Sequence, residues 1–211
     1  MNLCIVPMKP LARAKARLAE VLSPEQRRAL SLAMLEDVIG AARALDHVWV
    51  LHSDDDAAEV IRRAGAEPVA DPTPDGGLNA SLAAATADAV AAGYDGVLVV
   101  SADCAAATGE DLRAMAIGRG VIVAPDRTGK GTNALWRRPP DAIFPSYGPK
   151  SLLSHMSIAH GRGVSFAVMP NAKLALDIDR PADLEAAART QVGAATRAAL
   201  DALGYPALGR R

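Results

Sequence analysis

Aromatic residues make up only 3 % of this 211-residue chain. That scarcity excludes a stacking platform for single-stranded nucleic acid, which needs a row of rings. Neither sign of charge dominates: 23 Lys and Arg stand against 24 Asp and Glu, a formal net charge of −1. A surface for duplex nucleic acid needs a basic excess and is excluded on that ground. Cysteine occurs only at Cys4 and Cys104. The two are too far apart for a zinc pattern and sit in or beside apolar runs, as buried reduced thiols do. No apolar run approaches the ~20 residues of a membrane span, and the opening "MNLCIVPMK" is broken by Pro7 and Lys9 before it reaches the length of a signal-peptide core. A cytoplasmic chain is expected. A GxxxxGK[ST] phosphate loop and a GxSxG nucleophile elbow are also missing.

What the chain does have is alternation. Half of it is apolar, and short β-rich runs take turns with longer Ala-rich helical patterns. "LCIVPM", "HVWVLHS", "AEPVAD", "GVLVVSAD" and "GVIVAPD" read as strands. Between them a helix opens at Ser23 and Pro24, with Leu32, Leu35, Ile39 and Ala42 at helical spacing. "DDDAAEVIRRAG" is a helix stopped by Gly65, "GLNASLAAATADAVAAG" is a third, and "TGEDLRAMAIG" carries Thr108 and Asp111 in capping-box positions. Later, "TNALWRRP" and "VSFAVMP" suit antiparallel or edge strands. "KSLLSHMSIAHG" suits a helix started by Pro149, "LALDID" a strand, and "RPADLEAAARTQVGAATRAALDAL" one long closing helix. The pattern predicts a single domain over residues 1–211, α/β in class, with a mostly parallel central sheet and helices on both faces. Ligands of such sheets bind beyond the carboxyl ends of the strands.

Four segments at those ends can carry chemistry. "PMKPLARAKARLA" clusters Lys9, Arg13, Lys15 and Arg17. It suits a triphosphate, or a solvated helix face with Arg13 and Arg17 one turn apart. Asp103 closes the apolar run "GVLVVSADC", where a carboxylate suits Mg²⁺ with phosphate oxygens, or a turn. In "LALDID", strand alternation puts Asp177 and Asp179 opposite Leu174, Leu176 and Ile178. Those acids complete a metal site with Asp103, lie on the surface, or, for Asp179, serve the following helix start. "APDRTGKGTNAL" and "YGPKSLLSH" offer glycines, successive backbone N–H groups and a helix start. Thr132, Gly148 and Ser151 can thus meet on one phosphate, or the glycines mark plain turns. Of the histidines, His47 and His52 flank a strand and His160 lies five residues from His155, so structural roles are the default; His155 is the best functional candidate.

Taken in order, "VPMKPLARAKARL", "LSPEQRRAL", "MLEDVI", "GGLNASL", "SADC", "APDRTGKGTNAL", "YGPKSLLSH" and "LDIDRPADL" closely resemble one family over about Leu3 to Leu184. It is the 2-phospho-L-lactate guanylyltransferase family, which includes the phosphoenolpyruvate guanylyltransferases of deazaflavin coenzyme (factor 420) biosynthesis. The resemblance implies a Rossmann-like nucleotidyltransferase core of the nucleotide-diphospho-sugar transferase type. It also implies transfer of GMP from GTP to the phosphate of a small phosphorylated acid, with release of pyrophosphate. By the same likeness Asp103 and an acid of "LDID" hold Mg²⁺, Asp177 favoured and Asp179 kept. Lys9, Lys15 and Arg17 face the GTP phosphates, Lys15 and Arg17 joining Asp103 in catalysis. Asn79 lies near the nucleoside, and Thr132, Gly148 and Ser151 hold the acceptor phosphate. The bacterial look of the composition favours phosphoenolpyruvate over 2-phospho-L-lactate and 3-phospho-D-glycerate. The likeness implies a product handed to a downstream transferase, no nucleic-acid or membrane partner, and an oligomeric state left open, a homodimer included. The chain departs from the family at "DCAAAT", where an acid is often followed by Leu-Pro, at Lys130, and at Arg180, where Thr is common. A same-fold transferase using CTP or a sugar phosphate, and a non-catalytic nucleotide-binding partner, stay open as alternatives.

Overall fold

Alternating side chains divide the first strand between two cores. The computed structural model describes residues 1–207. In β1 (Asn2–Pro7) Leu3 and Ile5 join one buried cluster with Leu82, Ala85 and Ala159, while Cys4 and Val6 join the other with Leu35, Val38, Ile61 and Leu112. Both faces of the sheet are therefore covered, and strand periodicity of two is what allows it. Three further strands run parallel in the same half: β2 (His47–His52), β3 (Glu67–Ala70) and β4 (Gly96–Val100), with β1 between β2 and β4. Every residue of β4 is buried.

The intervening helices start where their caps dictate. Ser23 opens α1 (Pro24–Ala42): its hydroxyl accepts the Gln26 N–H while the Gln26 side chain accepts the Ser23 N–H. Helices α2 (Asp55–Ala64) and α3 (Gly77–Ala91) follow, and the Thr108–Asp111 capping box opens α4 (Gly109–Met115). The second half completes the sheet with β5 (Gly120–Pro125), β6 (Thr132–Arg138) and β7 (Phe166–Val168), in the order β3-β2-β1-β4-β6-β5-β7. Strand β6 is antiparallel to both its neighbours and sits inside the sheet; β7 is a parallel edge strand beside β5. The start of β6 therefore lies at the same end of the sheet as the carboxyl ends of β1 and β4.

Three sequence expectations are corrected. Helix α5 (Ser151–Gly161) begins two residues after Pro149, because Lys150 takes a left-handed conformation (φ 60°) as its N-cap. "LALDID" joins no ladder: Leu174 and Ala175 lie in a turn, the Ala175 N–H bonding the Asn171 carbonyl, and residues 176–179 have no regular structure. Its burial alternates as a strand's does, yet β6 is already flanked by β4 and β5, so side chains hold it instead: Asn133 donates to the Leu174 carbonyl at 2.8 Å, and the Cys104 thiol donates to the same oxygen. The closing helix is two, α6 (Pro181–Ala188) and α7 (Ala194–Ala202). The break is made by Asp37 of α1, whose carboxylate accepts the N–H groups of Ala195 and Thr196 and so caps α7. Gly193 passes so close that a Cβ there would lie 2.1 Å from the Asp37 Cγ.

Candidate active site

A cavity of about 550 Å³ opens beyond the carboxyl ends of β1 and β4 and runs to the start of β6. One end is formed by the loop after β1. The Met8 N–H donates to the Leu51 carbonyl, and Asp54, just before α2, accepts the Leu11 N–H at 2.9 Å. Two short 3₁₀ turns, Leu11–Arg13 and Ala16–Leu18, are joined through Lys15 at φ 53°. That conformation is costly for a residue with a Cβ, and here it turns the ammonium inward. The Lys15 side chain is only 3 % exposed, and its Nζ contacts the Asp103 Oδ1 at 2.7 Å. It also donates to the Ile178 carbonyl. Buried lysine demands such partners. The other cations stay out in the cavity wall: Lys9, Arg13 and Arg17 all line it. Arg17, 63 % exposed, pairs with the Asp179 carboxylate at 2.5 Å.

Acids from two distant segments meet around Lys15. Asp103 follows β4, is 32 % exposed and lines the cavity together with Asp179. Asp177 is half-buried in the irregular segment leading to Asp179. Burial raises its carboxyl pKa above the ordinary value, and the negative charges of Asp183 and Asp103 add to that rise against the pull of Lys15. Asp179 does not cap α6 with its side chain. Asp183 does that work, accepting the N–H groups of Asp179 and Arg180 while pairing with Arg127. Among the described residues no group of three or more His, Cys, Asp or Glu side chains is arranged to hold a metal ion.

At the far end Thr132, Asn133 and Tyr147 line the cavity. The glycine-containing loop before β6 does not offer its backbone as an anion nest in the way the sequence suggests. Asp126 Oδ1 takes the N–H groups of Lys130 and Gly131, at 3.0 and 2.9 Å, and the Thr128 hydroxyl. Thr132 and Asn133, after the loop, line the cavity. Gly148 follows Tyr147 at φ 144°, a conformation that favours glycine. Ser151 is buried at the start of α5, its N–H bonded to the Gly148 carbonyl. Asn79, expected near a nucleoside, grips the backbone of Tyr147 from both sides. Its Nδ2 donates to the Tyr147 carbonyl at 2.9 Å and its Oδ1 accepts the Tyr147 N–H at 2.7 Å. Behind this end His155 is fully buried, bonded to the Thr132 hydroxyl and to the Ser146 N–H.

Several contributors escaped the sequence reading. Asp71 and Ser81 line the cavity from the β3–α3 side; a lone acid or serine after a weak strand carries no motif. Asn133 and Tyr147 were within reach, since they stand inside the two glycine-containing segments already singled out. Asp54 and Asp126, which shape loops without entering the cavity, have no pattern of their own.

A family model described as guanylyl transferase CofC like matches residues 2–206. A phosphoenolpyruvate guanylyltransferase of Sphaerobacter thermophilus is 39 % identical over 202 residues, covering 92 % of this chain and 97 % of that protein. Another of that name, from Conexibacter woesei, is 37 % identical, covering 86 % of this chain and 85 % of its own length. In three dimensions the chain is similar to a protein of Desulfovibrio desulfuricans G20 assigned to the nucleotide-diphospho-sugar transferases. The TM-score is 0.77 at 19 % identity, over 97 % of this chain and 98 % of that one.

Proposed function

The chain belongs to the CofC-like guanylyl transferase family, and from that premise we propose that it moves GMP from GTP onto the phosphate of phosphoenolpyruvate in deazaflavin coenzyme biosynthesis. Nucleotidyl transfer itself follows from the family. The donor, the acceptor and the pathway are the proposal, as are a single catalytic domain and a cytoplasmic setting. Among the described residues no helix is long and apolar enough to cross a membrane. The acceptor is chosen because both relatives named above are phosphoenolpyruvate guanylyltransferases.

The observation that carries the reading is one cavity with unlike ends, cations at one and hydroxyl and amide groups at the other, and the Lys15–Asp103 pair reaching into it. The triphosphate lies at the cationic end, where Lys9, Arg13 and Arg17 offset its charge. The acceptor phosphate lies at the Thr132 end, with Gly148 and Ser151 behind. That phosphate already carries a charged oxygen as its nucleophile, so no strong general base is needed. The barrier is the approach of two anions in line, and fixed positive charge lowers it.

The donor set fits Mg²⁺. Asp103 and Asp179 offer partly exposed oxygen ligands to the cavity, the type that ion prefers. The crowding of Asp177 by Asp183 and Asp103 is the kind a divalent cation relieves. Asp103 with Asp179 or Asp177 would hold it, and it would supply charge neutralisation of the phosphates. The protein's own part is to keep Asp103 aimed, through its contact with Lys15, and to hold the two substrates apart until they align.

The test offers GTP, CTP, ATP and UTP as donors, and phosphoenolpyruvate, 2-phospho-L-lactate and 3-phospho-D-glycerate as acceptors, with Mg²⁺ present. The product is read by mass. A guanylylated phosphoenolpyruvate as the dominant product is expected; preference for another nucleotide or another acid overturns the assignment.

A further inference from the structure

His155 does not line the cavity, yet its two ring nitrogens are both engaged, and one partner settles the state of the other. The Ser146 backbone N–H lies 3.0 Å from Nε2 and can only donate. Nε2 is therefore a bare acceptor, and in a neutral ring the proton sits on Nδ1. Nδ1 lies 3.1 Å from the Thr132 hydroxyl oxygen, so the ring donates and the hydroxyl accepts. The threonine's own proton must then point elsewhere. Among the described residues no other group bonds that hydroxyl, and Thr132 lines the cavity.

We propose that His155 is a positioning residue that commits the Thr132 hydroxyl to donate its proton into the cavity, toward an unprotonated oxygen of the acceptor's phosphate. This rests on the reading that the Thr132 end takes the acceptor. Three features hold the ring in that role. It is fully buried at the first turns of α5, it meets the Tyr147 ring edge-on at 5.2 Å, and burial, aided by the Arg137 charge, lowers its pKa to about 4. A neutral ring with a single tautomer turns an otherwise free rotor into a fixed donor. Its rotation is settled before the ligand arrives, which is how preorganisation gains affinity. Thr132, Tyr147 and His155 also tie this end to Asn79 through the Tyr147 backbone, so the donor is set within a braced wall.

Two substitutions separate the ring's two bonds. In His155→Gln the amide sits near the place of Nε2 and keeps the Ser146 contact while losing the bond to Thr132. In His155→Asn the amide sits near Nδ1 and keeps a donor to Thr132. Steady-state kinetics with phosphoenolpyruvate, GTP and Mg²⁺ read the outcome. Thr132→Val is expected to raise KM for phosphoenolpyruvate about tenfold, the size of one hydrogen bond to a charged group, with KM for GTP unchanged. His155→Gln should raise it in the same direction, His155→Asn should restore most of it, and the His155→Gln/Thr132→Val pair should be no worse than Thr132→Val alone. A silent Thr132→Val overturns the acceptor-end reading itself. An effective Thr132→Val beside a silent His155→Gln, or effects that multiply in full, overturns only the role of His155. Nitrogen-15 shifts of the ring in the unaltered protein give an answer that no folding defect can blur: protonated Nδ1 and bare Nε2 are expected, and the opposite tautomer sinks the proposal.

Discussion

The two ends of the cavity are built on opposite plans. The end after β1 presents charge on long side chains: Arg17 is largely exposed, held by one partly exposed partner, and only Lys15 is locked, through a left-handed backbone and its contacts with Asp103 and the Ile178 carbonyl. The Thr132 end presents little charge on its walls. Its loop spends its N–H groups on Asp126, and its hydroxyl is set by a buried neutral histidine. Flexible cations suit a highly charged, strongly hydrated triphosphate, whose attraction tolerates imprecise geometry. Rigid neutral donors suit a small acid that must be told apart from near neighbours by a few placed hydrogen bonds.

The contrast can be broken at four places. The largest effect belongs to the pair between the ends: Asp103→Asn should cut turnover by about 10²–10³-fold, the loss typical of one preorganised electrostatic group, with the far-UV spectrum retained. Pyrophosphate release measures it, and turnover within a factor of two of the unaltered enzyme would remove Asp103 from the chemistry. Next comes acid. The folded pKa of His155 is lowered to about 4 by burial and by Arg137, below the ordinary 6.5. The unfolded chain therefore binds a proton that the folded chain refuses, and stability falls as pH drops from 6.5 toward 4. Between pH 6.5 and 5 the unaltered protein should lose about 1.5 kcal/mol more than His155→Asn in urea titrations, the full ~1.4 kcal/mol per pH unit being reached only well below pH 6.5; equal losses would mean the ring titrates normally.

Asn79→Ala should raise KM for phosphoenolpyruvate up to about tenfold, because two hydrogen bonds to the Tyr147 backbone are lost. A rise confined to GTP would instead return Asn79 to the nucleoside. The smallest effect is expected from Arg17→Ala: a several-fold rise in KM for GTP that shrinks with added salt, and a melting temperature nearly unmoved, since exposed ion pairs contribute at most about 1 kcal/mol. A salt-independent effect would make the cationic end as rigid as its opposite.

Much of the site was legible because its parts are short and local. Lys9, Lys15, Arg17, Asp103 and Thr132 all stand in segments that follow or begin strands, and all reach one cavity. Between the two acids of "LALDID" the strand pattern was no guide. Asp179 lines the cavity and Asp177 lies behind it, because the segment crosses the sheet end without a ladder and is steered by Asn133 and Cys104. Asn79 was placed by its helix, but its partner is 68 residues away in sequence, and no local rule points to it.

Periodicity, capping residues and the placement of glycine were enough to order the strands and helices through β5, with the starts of α1 and α4 and the stop of α2, because those features depend on neighbours within a turn or two of the chain. Tertiary structure alone decided that β6 enters the sheet antiparallel between β4 and β5, that Asp37 splits the closing helix, and that Lys15 faces Asp103. Each of these turns on groups far apart in sequence competing for the same backbone N–H, carbonyl or buried charge, and that competition is resolved only when the whole core closes.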